Sequence, residues 1–95
     1  MIIIKLSEFK VSSQDLDQKR TIYLQNKTNI LPVTDLKKSV NQLVLVSSTN
    51  HKPLTLNQFN TRTEQIDESL DLYINQPENL RIFGYRLANN RIIFG

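Results

Sequence analysis

His51 is the one histidine in a chain of 95 residues that has no cysteine. It sits in the stretch Ser47-Ser48-Thr49-Asn50-His51-Lys52-Pro53, with no carboxylate or second histidine beside it. A metal site there would need ligands from elsewhere in the chain, so the expectation is an exposed loop histidine, with no bound metal and no cofactor. The absence of cysteine excludes thiolate nucleophiles, disulfides and iron–sulfur clusters. Two glycines leave no glycine-rich phosphate loop, and neither a G-x-S-x-G elbow nor an H-E-x-x-H helix occurs. The chain therefore reads as a non-enzyme. The chemistry it retains is that of carboxylates, arginines and aromatic rings.

The carboxylates are concentrated. Residues 61–79 carry one arginine, Arg62, against Glu64, Asp67, Glu68, Asp71 and Glu78. Thr61-x-x-Glu64 matches a capping box, and Ile66, Leu70, Tyr73 and Ile74 then recur at helical spacing, so a helix over 62–76 is expected, stopped by Pro77. On that helix Glu64, Asp67, Glu68 and Asp71 fall opposite the apolar stripe. Glu64–Glu68 and Asp67–Asp71 are like-charge pairs at i,i+4, each mildly destabilising. Leu72 lies beside Glu68 on the same face. A row of unpaired carboxylates around an apolar side chain reads as a docking face for a basic protein surface, since it presents charge much as phosphates do.

The arginines sit among aromatic residues nearer the C-terminus. Arg81-Ile82-Phe83-Gly84-Tyr85-Arg86 alternates, which on one strand would put Phe83 and Tyr85 on one face. Ile22-Tyr23-Leu24-Gln25-Asn26 is a second aromatic-bearing string. Together the two strings resemble the paired RNA-contact strands of the RNA recognition motif, with Arg81, Phe83, Gly84 and Tyr85 matching its longer signature and Ile82 in place of the first glycine. The resemblance implies base stacking by Tyr23, Phe83 and Tyr85. The segment Gly84-Tyr85-Arg86-Leu87 to Arg91-Ile92-Ile93-Phe94 also resembles the central hairpin of RelE-type mRNA-cleaving toxins. That likeness implies that Arg86 or Arg91 faces RNA. The nucleic-acid reading thus rests on Tyr23, Arg81, Phe83, Tyr85, Arg86 and Arg91.

These side chains need a scaffold, and the chain is long enough for one domain, residues 1–95. Leu, Ile, Val and Phe number 13, 10, 5 and 4, well above the fraction that goes with disorder. Ile2 to Leu6 reads as a buried strand, Ser7 to Arg20 as a short helix or a loop, and Thr21 to Gln25 as a strand. Asn26 to Asn29 is a turn, and Ile30 to Val33 an edge strand, where Pro32 is tolerated. Thr34 is a candidate N-cap, with Leu36, Val40 and Leu43 at helical spacing, which predicts a helix over 35–42. Leu43 to Val46 is uninterruptedly apolar and so a central strand. Residues 80–87 and 91–94 form a C-terminal hairpin about Asn89-Asn90. No internal repeat and no linker is visible. The sum is an α+β domain with a mostly antiparallel sheet of four to six strands and two helices.

The net charge is +3, with 12 Lys and Arg against 9 Asp and Glu. No apolar run reaches the roughly 18 residues that a membrane span needs. Met1-Ile2-Ile3-Ile4-Lys5 shows no basic secretory leader, so a cytoplasmic protein without membrane contact is expected. Ten Asn, ten Ile and seven Lys beside two Gly and one Ala point to an A/T-rich genome, such as a low-GC bacterium, its phage or a plasmid. Three functions follow in order. The first is a small protein-binding regulator or inhibitor of a host nucleic-acid-processing protein, acting through Glu64, Asp67, Glu68, Asp71 and Leu72. The second is an RNA or single-stranded nucleic-acid-binding module. The third is a structural homo-oligomer closed by a terminal edge strand.

Overall fold

The computed structural model describes residues 4–48, 51–74 and 80–95. Leu6, Phe9 and Ser13 recur at i, i+3 and i+7 and form the buried face of helix α1 (Leu6–Ser13). Leu56 and Phe59 build the same face on α2 (Leu56–Arg62). The Thr55 hydroxyl accepts from the Gln58 amide at 3.1 Å, and Gln58 Oε1 accepts from the Thr55 amide at 2.9 Å. This reciprocal cap starts α2.

Among the described residues there are eight strands: β1 (Thr21–Asn26), β2 (Asn29–Pro32), β3 (Asp35–Ser39), β4 (Gln42–Val46), β5 (Asp71–Ile74), β6 (Leu80–Arg81), β7 (Tyr85–Ala88) and β8 (Arg91–Phe94), of which β1, β4, β5 and β8 are rich in β-branched or aromatic residues. They form two mixed sheets, ordered β2-β1-β8-β7 and β3-β4-β5-β6. The β1–β8 and β4–β5 pairs are parallel, and the rest are antiparallel. The fold is α+β, and β7 and β8 form the C-terminal hairpin. Ala88 faces Arg91 across the turn, where Asn89 takes φ 55°, a conformation that asparagine tolerates better than most residues. β2, with Pro32, is an edge strand, and β4 is central, with Leu43, Val44 and Leu45 all buried.

The chain repeats itself. A shift of 50 residues lays Leu6 on Leu56, Phe9 on Phe59, Asp17 on Asp67, Ile22 on Leu72, Tyr23 on Tyr73 and Leu24 on Ile74. From residue 31 the shift is 49, and Val33, Leu43 and Leu45 fall on Ile82, Ile92 and Phe94. All these aliphatic and phenylalanine pairs are buried in both halves. The main-chain bonds repeat as well. Ile22 N donates to Leu54 O and Leu72 N to Ile4 O; Leu54 N donates to Val33 O and Ile4 N to Ile82 O. Thr21 N donates to Asn90 O, and Asp71 N to Asn41 O. Each sheet takes one hairpin from each half, so the halves are interleaved around one core and related by an approximate two-fold axis.

The expected helices are displaced. Residues 35–39 form β3, because Val40 and Asn41 make a two-residue turn with Asn41 at φ 63°. Val40 is 85% exposed, so the spacing of Leu36, Val40 and Leu43 was strand alternation interrupted by a turn. Thr34 caps no helix; its hydroxyl donates to Val46 O at 3.3 Å. The expected helix over 62–76 begins where α2 ends. Thr61 Oγ1 donates back to Asn57 O at 2.9 Å inside α2, and residues 71–74 are β5; residues 75 and 76 lie outside the described residues. At the N-terminus, Leu6 opens α1 and only Ile4 and Lys5 of the expected strand are described as extended chain. The stretch 80–87 is two strands, β6 and β7, broken at Ile82-Phe83-Gly84. The absence of an internal repeat is likewise corrected. Its identities are few because the core pairs exchange one aliphatic residue for another and the shift changes partway.

Candidate nucleic-acid interface

Alternation along β1 and β8 sends Ile22, Leu24, Ile92 and Phe94 into the core. Thr21, Tyr23, Gln25, Arg91 and Ile93 therefore point to the other face of the first sheet. In register, Tyr23 faces Ile93, and Ile93 faces Arg86. The Arg91 guanidinium carbon lies 4.6 Å from the Tyr23 ring centroid, a cation–π stack. Arg86 Nη2 donates to Gln25 Oε1 at 2.9 Å across β8, which holds the guanidinium over the sheet. Ile93 is 3% exposed yet stands apart from the core cluster, so its cover comes from this outer face, where Tyr23 and Arg86 flank it. A cleft of about 230 Å³ opens beside them, lined by Gln25, Gly84, Tyr85, Arg86, Ile93 and Gly95.

The four strands of this sheet contain Arg86 and Arg91 and no Asp or Glu, and Lys27 stands in the β1–β2 turn. Neither arginine has a carboxylate partner among the described residues. The face combines a fixed aromatic ring, two guanidinium groups and an amide, which can contact bases by stacking and phosphates by charge-assisted hydrogen bonds.

No family model, no curated protein and no solved structure matches this chain. Its site is therefore read from its own geometry.

Of the residues expected to contact nucleic acid, Tyr23, Arg86 and Arg91 meet on this face. Phe83 and Tyr85 do not form the stacking pair. Tyr85 is turned inward, edge-on to Phe9 at 5.2 Å and against Phe94 at 5.8 Å, with its hydroxyl 2.8 Å from Ser12 Oγ. Phe83 precedes β7 and is 48% exposed. The two strings that resemble RNA-contact strands are not neighbours, since β8 lies between β1 and β7. Arg81 belongs to the second sheet, where it pairs in register with Tyr73. Sequence reasoning missed Gln25 and Ile93. Gln25 stood two residues from Tyr23, hence on its face, and that spacing was the available signal.

The acidic segment is dispersed. Glu64, Asp67 and Glu68 lie in the turns after α2, and Glu68 reaches Lys10 at 3.9 Å. Asp71 begins β5 and pairs with Lys5 at 3.0 Å. Leu72 is fully buried, and Glu78 lies outside the described residues. Asp67 Oδ1 accepts from the Ser69 amide at 2.9 Å and from the Ser69 hydroxyl at 2.8 Å, and these bonds hold its pKa below the ordinary value. Its two-fold mate Asp17 accepts from the Lys19 amide at 2.9 Å, so this carboxylate shapes a turn in each half. Among the described residues, no three His, Cys, Asp or Glu side chains gather as around a metal ion, and no helix is long and apolar enough to cross a membrane. His51 is exposed beside Thr34, Asp35, Ser48 and Arg62.

Proposed function

We propose that the chain is a small non-enzymatic module that binds RNA or single-stranded DNA on the outer face of the β2-β1-β8-β7 sheet. The supporting observation is the acid-free sheet on which Arg91 is stacked on Tyr23 and Arg86 is tethered to Gln25. Arginine held in this way loses little side-chain freedom on meeting a phosphate, and a tyrosine ring stacks on any base. The expected contact is therefore tolerant of sequence and sensitive to salt.

Capture of a basic protein by residues 64–72 has less support. Its apolar member, Leu72, is in the core, and Glu68 and Asp71 already have lysine partners.

The test is fluorescence anisotropy with labelled oligouridine and oligothymidine. Affinity is expected to fall steeply between about 50 mM and about 200 mM salt, with a log–log slope of about −0.7 per phosphate contacted. Arg86→Glu is expected to weaken binding and to reduce the magnitude of that slope by about 0.7, the share of one phosphate contact. An absence of binding at the lower salt concentration would overturn the proposal.

A further inference from the structure

The two-fold repeat carries part of the candidate interface over to the second sheet, where Gln42 stands in the place of Arg91. Tyr23 and Tyr73 occupy the same position, as do Ile93 and Val44, and Arg86 and Lys37. In the second sheet Lys37 faces Val44, Val44 faces Tyr73, and Tyr73 faces Arg81. Val44, like Ile93, is 3% exposed and stands outside the core cluster. Both sheets thus bear one outward row: a cation on the flanking strand, a covered β-branched residue, then a tyrosine.

Elsewhere the two halves share little of their surface. Lys10 stands over Asn60, Ser12 over Arg62, Lys19 over Ser69 and Lys38 over Leu87. Asp17 and Asp67 agree because both close a turn, and Asn41 and Asn90 because both sit in hairpin turns. The tyrosine and the cation agree without any turn or cap to require them.

The carboxylates of the second sheet are neutralised within the chain. Asp71 pairs with Lys5 at 3.0 Å and Asp35 with Arg62 at 3.1 Å. Lys37 is exposed and has no carboxylate partner among the described residues. Arg81 holds the register position that Pro32 holds in the first sheet.

We propose that the chain binds two segments of single-stranded nucleic acid at once, one on each sheet, the second across Lys37 and Tyr73. This rests on the reading of the first sheet given above. Both sheets turn their other face to one core cluster, so the two segments lie on the outer faces of separate sheets.

The test is the stoichiometry of a short oligouridine, too short to reach both sheets, by isothermal titration and sedimentation of the full chain. The wild type is expected to take two per chain. Lys37→Glu and Arg86→Glu, both on exposed flanking strands, are each expected to reduce this to one, and the double variant to none. Circular dichroism checks that each variant folds, and Lys37→Gln serves if the charge reversal does not. A wild type that saturates at one, with Lys37→Glu unchanged and Arg86→Glu defective, overturns the second face and leaves the first standing. No binding by the wild type overturns both.

Discussion

Phe9 and Phe59 occupy the same position in the two halves and meet edge to face, with ring centroids 5.2 Å apart and planes at 80°. The approximate two-fold axis passes between them. Their surroundings are unequal, because Phe9 also packs on Tyr85 at 5.2 Å and Phe94 at 4.9 Å, while the positions matching those two rings in the other half are Leu36 and Leu45. Phe9→Ala and Phe59→Ala are each expected to cost about 3–5 kcal/mol. Phe9→Leu is expected to cost more than Phe59→Leu, because each aromatic pair adds about 0.5–1.5 kcal/mol beyond its buried area. Urea denaturation of the four variants gives the ranking. Equal costs for the two leucine variants would contradict this unequal packing.

Leu72 offers a sharp contrast with its neighbours in sequence. It is fully buried on β5, paired in register with Leu43, while Glu64 is exposed. Leu72→Ala is expected to destabilise by about 2–5 kcal/mol. Glu64→Lys is expected to stay within about 0.5 kcal/mol of the wild type, as surface changes do. Thermal melts of the two variants decide between a core residue and a docking residue, since a docking Leu72 would tolerate alanine.

Asp67 makes stability depend on acid. Its carboxylate is held below the ordinary value of 3.8, first by the Ser69 amide and then by the Ser69 hydroxyl; desolvation opposes them, and Lys38 adds the smallest contribution, also lowering. A carboxyl whose folded-state pKa is depressed contributes stability above its unfolded pKa, and that contribution is lost as pH falls through the folded value. Between about pH 7 and about pH 3 the wild type is therefore expected to lose more stability than Asp67→Asn, which keeps an acceptor but does not titrate. Denaturation curves at the two pH values measure the difference, and identical losses would remove Asp67 from the account.

Asn41 turns the β3–β4 hairpin at φ 63°, and Asn89 turns the β7–β8 hairpin at φ 55°. Any residue with a Cβ other than asparagine or aspartate pays roughly 1–2 kcal/mol in that conformation. Asn89→Val is expected to destabilise by about that amount, while Asn89→Gly is expected to stay near the wild type or exceed it. The same order is expected at residue 41. A valine variant as stable as the glycine variant at either turn would show that the backbone there adopts another conformation.

Much of the chain was legible from local pattern. The strand Thr21–Gln25, the edge strand with Pro32, the central strand at 43–46 and the turn at Asn89-Asn90 each follow from a few adjacent residues. Alternation and turn chemistry act within one strand or one turn, so the sequence by itself determined an α+β domain and its first and last hairpins, β1–β2 and β7–β8. The helix boundaries did not follow, because Leu36, Val40 and Leu43, and later Ile66, Leu70 and Tyr73, satisfy helical spacing by chance across a turn. What excludes a helix there is a parallel partner strand supplied by the other half, β5 beside β4, which no local window contains.

The site divides in the same way. Sequence alone singled out Tyr23, Arg86 and Arg91, since aromatic and basic residues on strands are visible wherever they stand. Only the tertiary structure decided that they share a face, that Tyr85 is turned into the core by Phe9 and Phe94, and that the acidic segment is shared between turns and a buried strand. The reason is interleaving: each sheet joins a hairpin from residues near 20–46 to one from residues near 71–94. Contacts at that separation arise from burying one common core, and they set which side of each strand meets water.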